Sequence, residues 1–158
     1  MTEQTMEVAV RHTMNVRLDG EGAFELFTAG IGTWWPAQTG HHLSDLPATA
    51  IMDTCQGGRL YERDEEGREF EWGRVRLWEP PRRVVLAWHL TPEWRFDPDP
   101  EMATEVEVIC DDAGGRTRVS FEHRGFEVHG EAGRALRDLL AGDDGWPEVL
   151  ARYERAAA

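Results

Sequence analysis

The sequence predicts an α+β fold in which about seven antiparallel strands form a curved sheet around a long C-terminal helix. Three patterns along the 158 residues predict it. An alternating strand near the start is followed by two short helical segments, residues 48–125 are strands and turns, and helical periodicity begins near residue 132. A sheet with one apolar face needs a cover, and the last helix carries the apolar stripe that provides one.

The first strand is predicted from alternation with a period of two residues over residues 6–18. Ala23, Phe24 and Phe27 follow at helical spacing and predict a short helix, and residues 31–35 form a second short turn. The apolar face of the strand consists of Val8, Val10, His12, Met14, Val16 and Leu18.

Turn signals divide residues 48–125 into the remaining strands. Glycine supplies the positive φ that tight turns need, and proline cannot donate to a strand ladder. These signals are Gly57-Gly58, Glu65-Glu66-Gly67, Glu79-Pro80-Pro81, the proline-rich stretch 91–100 and residues 111–115. After the last of these turns, Val119, Phe121 and His123 share one face of a strand.

Two amphipathic runs end the chain, and Gly142 separates them. The first contains Ala132, Leu136, Leu139 and Leu140, and the second has Trp146, Val149, Leu150 and Tyr153 at i, i+3, i+4 and i+7. A sheet that curves around one helix is not filled completely near its open end, where the two short helices lie. The sequence therefore predicts a ligand cavity at that end.

Composition and charge exclude several functions. The 17 basic residues, all arginine, stand against 30 acidic ones and give a net charge of −13, which opposes nucleic-acid binding. The lack of lysine excludes Schiff-base chemistry. No apolar run approaches the ~20 residues of a membrane helix, and the N-terminus does not resemble a secretory signal, so we expect a cytoplasmic protein without membrane insertion. Cys55 and Cys110 lack the spacing of a metal site, and we expect neither metal nor cofactor.

Several blocks of the sequence occur in an order and spacing that is similar to a known family. They are Phe24-Glu25-Leu26-Phe27-Thr28, Gly30-Ile31-Gly32, Trp34-Trp35-Pro36, Gly57-Gly58-Arg59-Leu60-Tyr61-Glu62-Arg63, Trp72-Gly73-Arg74-Val75, Trp78-Glu79-Pro80-Pro81-Arg82-Arg83, Trp88, Glu122-His123-Arg124-Gly125, and Gly145-Trp146-Pro147 with Leu150. The blocks resemble bacterial SRPBCC-domain proteins of the heat-shock-protein-90 ATPase activator-like group, within the START and birch-allergen helix-grip superfamily. The similarity extends from about Val8 to Ala156, which implies one helix-grip domain over residues 1–158.

The resemblance implies a hydrophobic cavity between the sheet and the C-terminal helix. Members of the superfamily bind lipids, hormones and polyketides, and a few are cyclases or hydrolases. The eukaryotic co-chaperone of the group has an additional N-terminal domain, for which 158 residues leave no room. The sequence therefore favours ligand binding over chaperone activation.

Aromatic and aliphatic side chains on the inward faces are the candidate cavity walls. A small domain also uses such residues for ordinary core packing, and that interpretation stays open beside ligand binding. Trp94 and Phe96, in the proline-rich loop, are candidates to close the mouth of a pocket. The predicted walls are Trp35, Trp72, Val75, Leu86, Trp88, Val106, Val108, Phe121, Trp146 and Leu150.

Three polar residues are predicted to lie on the same inward faces. His12 and His123 fall on the apolar faces of the first and last strands, which are neighbours in a helix-grip sheet, so their rings are expected to approach each other. Glu62 faces inward if Leu60 does. These residues either are satisfied core groups or orient the polar end of a ligand, and His123 and Glu62 are the weak candidates for acid–base catalysis. His41 and His42 are expected in a solvated loop.

The leading hypothesis is therefore the binding of a small apolar or amphipathic molecule. One alternative is an enzyme of the cyclase or hydratase type that uses the same cavity and the same polar groups. The other is a co-chaperone-like module whose acidic face binds a protein partner. The sequence also leaves a homodimer open as an assembly state.

Overall fold

A computed structural model describes residues 9–37 and 41–158. It contains seven strands: β1 (Val10–Val16), β2 (Ala48–Met52), β3 (Arg59–Asp64), β4 (Glu69–Glu79), β5 (Arg83–Trp88), β6 (Thr104–Asp112) and β7 (Thr117–Arg124). They form one sheet in the order β1-β7-β6-β5-β4-β3-β2, and all neighbours are antiparallel. The predicted sheet is confirmed, and the predicted start of the first strand at residues 6–8 lies outside the described residues.

Three α-helices accompany the sheet. They are α1 (Gly20–Phe27), α2 (Glu131–Ala141) and α3 (Trp146–Ala156), and short 3-10 turns occupy Ile31–Thr33, Pro100–Met102 and Phe126–His129. Among the described residues, no helix has both the length and the apolar character that crossing a membrane requires.

Helix α1 begins where the Asp19 carboxylate accepts a hydrogen bond of 2.8 Å from the Gly22 N–H, which satisfies one of the free donors of the first turn. Its buried face is the predicted one, Ala23, Phe24 and Phe27. The Tyr153 hydroxyl donates to the Ala23 carbonyl at 2.8 Å, so α3 is connected directly to α1 inside the core.

The C-terminal helical region consists of two helices of 11 residues each rather than one long helix. The break predicted at Gly142 is present, and α3 buries the predicted stripe of Trp146, Val149, Leu150 and Tyr153. Helix α2 buries Leu136 and Leu140 but leaves Leu139 59% exposed. The buried face of this helix is therefore narrower than the predicted apolar face, which included Leu139.

Two irregularities in β4 place aromatic side chains at the inner face of the sheet. Leu60 pairs with Gly73 and Tyr61 with Glu71, so Trp72 is the extra residue of a β-bulge. A second shift lies between Val75 and Leu77, opposite β5. Bulges bend a strand and change the direction of a side chain, which is why Trp72 lies against the core with 1% of its surface exposed.

We predict that Gly73→Ala destabilises the protein by about 1–3 kcal/mol or more, because a Cβ at this position would lie 2.1 Å from the Ala87 carbonyl oxygen. Gly73 is opposite Trp88 in the β4–β5 register, so both strands would have to move apart. The measurement is the free energy of unfolding in urea. Gly20→Ala is the control, because a Cβ there meets no atom within 4 Å, and an equal loss of stability in both variants would contradict the prediction.

Candidate functional site

One cavity of about 300 Å³ lies between the inner face of β4 and β5, the facing ends of α2 and α3, and the loop that precedes β2. Its wall is mainly aromatic and aliphatic. The residues that line it are Trp35, His41, His42, Leu43, Trp72, Trp88, Leu90, Trp94, Leu140, Gly145, Trp146 and Val149.

Four of these residues, Trp35, Trp72, Trp88 and Trp146, form a closed ring of contacts that we call the tryptophan quartet. Going around the quartet from Trp35 through Trp72, Trp88 and Trp146, the centroid distances are 5.2 Å, 6.2 Å, 5.5 Å and 5.7 Å. Trp35 lies two residues after the first 3-10 turn, and the other three indoles come from β4, β5 and α3, so distant parts of the chain converge on the cavity. Tilted aromatic contacts at these distances stabilise the arrangement by about 0.5–1.5 kcal/mol each.

Most of the indole N–H groups in the quartet have partners within the protein. Trp35 donates to the His41 carbonyl at 3.0 Å, Trp72 to the Glu62 carboxylate at 2.8 Å, and Trp146 to Nδ1 of His123 at 3.0 Å. These bonds fix the direction of three rings. The N–H of Trp88 is buried and has no partner among the described residues.

Glu62 is a positioning residue of the cavity wall. It is 0% exposed, which confirms its predicted inward direction, and its carboxylate accepts hydrogen bonds from Leu43 N–H at 2.5 Å and Ser44 N–H at 2.8 Å, as well as from Trp72. Three donors satisfy a buried carboxylate well. The same side chain therefore holds the loop that carries Leu43 and the indole of Trp72 on the two sides of the cavity.

His123 is also fully buried, and both of its ring nitrogens are occupied. Nδ1 accepts from Trp146, so the neutral ring carries its proton on Nε2 and donates to the Thr104 hydroxyl oxygen at 2.7 Å. Burial lowers the pKa of His123 to about 3, because the charged ring would lose its hydration. The imidazole is therefore neutral at physiological pH and acts as an acceptor that orients Trp146.

The structure does not bring His12 into the hydrogen bonds of His123. His12 is half-buried and has Phe121 as its register partner, whereas His123 lies opposite Val10. Thr104 and Trp146 already occupy the nitrogens of His123, so His12 is not a hydrogen-bond partner of that ring, although the register places the two histidines diagonally on one face of the sheet. Strand alternation gives the face of a residue and not the partners of its polar atoms.

Four predicted wall residues, the members of the tryptophan quartet, line the cavity. The other predicted site residues are not part of its lining: His12 is half-buried, and the rest are buried in the core. The buried ones are Glu62, Val75, Leu86, Val106, Val108, Phe121, His123 and Leu150. Their inward direction was predictable from alternation and helical spacing, but their depth relative to the cavity was not.

Most of the missed lining residues belong to loops without a periodic pattern, whereas Leu140 and Val149 belong to the predicted helical runs but were not assigned to the cavity. His42 was expected in a solvated loop, but it is half-buried on the cavity wall. Its Nδ1 is buried without a partner in the described part of the chain. Trp94 lies at the mouth as expected, 40% exposed, whereas Phe96 stacks on His89 at 5.3 Å instead. The missed residues are His41, His42, Leu43, Leu90, Leu140, Gly145 and Val149.

Two residues at the cavity have positive φ although they are not glycine. His41 has a φ of 55° and Trp94 one of 62°. This conformation is unfavourable for a bulky side chain and persists where surrounding bonds hold it. The His41 carbonyl accepts from Trp35, and the Trp94 N–H donates to the Thr91 carbonyl at 2.8 Å. Partial burial also lowers the pKa of His41.

Within residues 9–37 and 41–158, no three His, Cys, Asp or Glu side chains are grouped as the ligands of a metal ion would be. The polar chemistry of the described cavity wall comes from the indole N–H groups and the histidines.

Comparisons with known proteins agree with this architecture. The family model described as "Activator of Hsp90 ATPase homolog 1-like protein" matches residues 24–157, which confirms the resemblance seen in the sequence. An anthrahydroquino-Gama-pyrone synthase, Txn09, complexed with SUM is 33% identical with a TM-score of 0.64, over 93% of this chain and 95% of that chain. No curated protein matches the sequence.

Two further solved structures extend the comparison. The self-sacrificing resistance protein CalC from Micromonospora echinospora is 31% identical with a TM-score of 0.65, over 94% of this chain and 93% of that chain. The Aha1 dimer from Colwellia psychrerythraea is 14% identical with a TM-score of 0.59, over 94% and 95% of the two chains, and this likeness shows the fold alone.

We predict that Glu62→Gln destabilises the protein by about 1–3 kcal/mol, because the amide NH₂ would face one of the N–H donors that the carboxylate now accepts from. Amide hydrogen exchange at Leu43 and Ser44 is expected to accelerate. Glu66→Gln, in the exposed β3–β4 turn, is the matched control. Protection of Leu43 and Ser44 that is unchanged in Glu62→Gln would contradict the assigned role.

We predict that His123 makes the protein less stable as the pH falls. The folded-state pKa of about 3 lies below the unfolded value of about 6.5, so only the unfolded state takes up this proton between those values. The contribution of the neutral His123 ring to the free energy of unfolding is complete above pH 6.5 and declines by roughly 1.4 kcal/mol per pH unit below it.

The measurement for His123 is urea unfolding between pH 5 and pH 7.5, with His123→Phe beside the wild type. The variant is expected to be less stable at pH 7.5, because Trp146 and Thr104 lose their hydrogen-bond partner. Its free energy of unfolding is expected to change less with pH than that of the wild type. Contributions from the rest of the protein are common to both proteins and cancel in the difference. Parallel stability curves would disprove the assignment.

Proposed function

The chain belongs to the activator of Hsp90 ATPase homolog 1-like protein family, and we propose that it binds a small, flat, mostly apolar molecule in the cavity lined by the tryptophan quartet. The observation that carries the proposal is the quartet itself, four indoles from four separate elements that border one space of about 300 Å³.

The cavity wall supports an aromatic ligand over an extended acyl chain. Ligand pockets are mainly apolar and aromatic with a few polar groups, and about 300 Å³ lies at the lower end of their size range. Three of the four rings are held by hydrogen bonds within the protein, so little side-chain freedom is lost when a ligand binds. Rigid indole faces are complementary to a flat ring system of similar polarity.

The pyrone synthase that is 33% identical to this chain supports a small-molecule ligand. The acidic net charge of −13 further favours a neutral ligand over an anionic one.

The acid–base roles considered for His123 and Glu62 gain no support from the geometry. Both side chains are fully buried. His123 is hydrogen-bonded to Trp146 and Thr104, and Glu62 accepts hydrogen bonds from Trp72 and from the loop before β2. Binding is therefore the function that the arrangement supports best. The cyclase or hydratase activity, the co-chaperone-like interaction and the homodimer stay predictions from the sequence.

We expect the wild-type protein to bind the three-ring aromatics fluorene and 9-fluorenone with a Kd of about 1–100 μM, a range typical of ligands of this size. Leu140→Phe is expected to weaken binding at least about tenfold, because Leu140 is 7% exposed on the cavity wall and a larger ring enters the ligand space. Equilibrium dialysis measures both affinities, and thermal unfolding checks that the variant is folded.

Leu139→Phe is the matched control for this test. It makes the same substitution one residue earlier in α2, at a side chain that is 59% exposed and outside the cavity, so binding should not change. Absence of binding to the wild type, or equal binding by wild type and folded Leu140→Phe, would refute the proposed function.

A further inference from the structure

Trp88 differs from every other member of the tryptophan quartet in the state of its indole N–H. The ring lies at the end of β5, lines the cavity and is 4% exposed. Its N–H is sealed from water and has no acceptor among the described residues. A buried donor without an acceptor costs free energy comparable to a lost hydrogen bond, so its presence in a folded protein calls for a physical reason.

The indole N–H groups of the other three members of the quartet all have acceptors within the protein. Their acceptors are a loop carbonyl, a carboxylate and an imidazole nitrogen, at 2.8–3.0 Å. Two of those acceptors, Glu62 and His123, are buried polar side chains whose own burial is costly. The protein therefore buries two polar side chains that act as acceptors for Trp72 and Trp146, and it provides no such acceptor for Trp88.

The surroundings of Trp88 cannot supply an acceptor in the observed arrangement. The ring lies between the rings of Trp72, Trp146 and His123, with centroid distances of 6.2 Å, 5.5 Å and 5.6 Å. The indoles are donors only, and both nitrogens of His123 are occupied by other partners. Trp88 also lines the cavity, so a ligand bound there would be a neighbour of the ring.

We propose that Trp88 determines the specificity of the cavity by donating its indole N–H to a carbonyl oxygen of the bound molecule, so that the preferred ligands are aromatic ketones or quinones rather than aromatic hydrocarbons. The inference rests on the proposed binding function. A carbonyl oxygen fits because it accepts a hydrogen bond and has no proton of its own, and the proposal requires the ring to turn so that its N–H reaches the cavity surface.

His42 adds a second polar atom to the same wall. Its Nδ1 is buried without a partner in the described part of the chain, and the residue lines the cavity. A neutral imidazole nitrogen either donates or accepts, depending on the tautomer. Two unsatisfied polar atoms on an otherwise apolar wall are the pattern by which a pocket selects ligands that carry a few oxygen atoms.

The test compares 9-fluorenone with fluorene, two flat tricyclic molecules that differ by one carbonyl oxygen, on wild type, Trp88→Phe and Trp78→Phe. Trp88→Phe keeps an aromatic ring and removes the donor. Trp78→Phe makes the same change at a tryptophan that is not part of the cavity wall. Equilibrium dialysis gives the ratio of the two affinities for each protein, and the ratio cancels general losses of binding.

We expect the preference for fluorenone over fluorene to be about tenfold larger in wild type and Trp78→Phe than in Trp88→Phe, which corresponds to ~1.4 kcal/mol for one hydrogen bond. An equal ratio in all three proteins overturns the role of Trp88 while the proposed binding function stands. Failure of both compounds to bind wild type overturns the binding function and this inference with it.

A second measurement on the wild type does not depend on the variant being folded. The indole N–H proton of Trp88 should shift to lower field in the NMR spectrum when fluorenone is added, and fluorene should cause no such shift. Trp72 and Trp146 line the same cavity and already have acceptors, so their indole N–H signals report the ring current of either ligand, and only a downfield shift of Trp88 that fluorenone causes beyond that of fluorene counts as the hydrogen bond. Equal responses of Trp88 to both compounds would overturn the proposal.

Discussion

The arrangement of the core depends on one constraint: an indole N–H that is packed away from water costs free energy unless it has an acceptor, and three members of the tryptophan quartet have one. The tryptophan quartet brings four such donors into a single contact ring. Two buried polar side chains, Glu62 and His123, exist in this environment as acceptors for Trp72 and Trp146. Their burial is tolerated because both oxygens of Glu62 accept hydrogen bonds and both nitrogens of His123 are hydrogen-bonded, whereas an unpaired charge or imidazole in the same place would be costly.

The same bonds connect the core to the cavity entrance. Glu62 accepts from the backbone of Leu43 and Ser44 as well as from Trp72, and Trp35 donates to the His41 carbonyl. The loop before β2 is thereby attached to the aromatic wall on two sides. A pocket whose wall and entrance are held in place before binding loses less conformational entropy when a ligand enters, which raises affinity without additional contacts.

The sequence was sufficient for the sheet and for most inward faces, because these depend on local periodicity and on glycine and proline turn signals. Alternation also placed Glu62 and His123 inside correctly. It could not identify their partners, since the bond from Trp72 to Glu62 depends on the β-bulge in β4 and the bond from Trp146 to His123 on how α3 crosses β7. The cavity residues of the loop before β2 carry no periodic signal, and only long-range hydrogen bonds position them.

A fold shared across a family fixes where a ligand enters but not which ligand it is. Here each wall tryptophan comes from a different element, so a substitution in any one of these elements reshapes the same cavity without disturbing the ladder of the sheet. The polar character of the wall is set in the same way, by which indole is given an internal acceptor and which is not. Supplying or removing one buried acceptor behind the wall changes both the polarity of the wall and the hold on the ring that it positions. Under the proposed binding function, specificity therefore depends on the layer of residues behind the cavity as much as on the residues that line it.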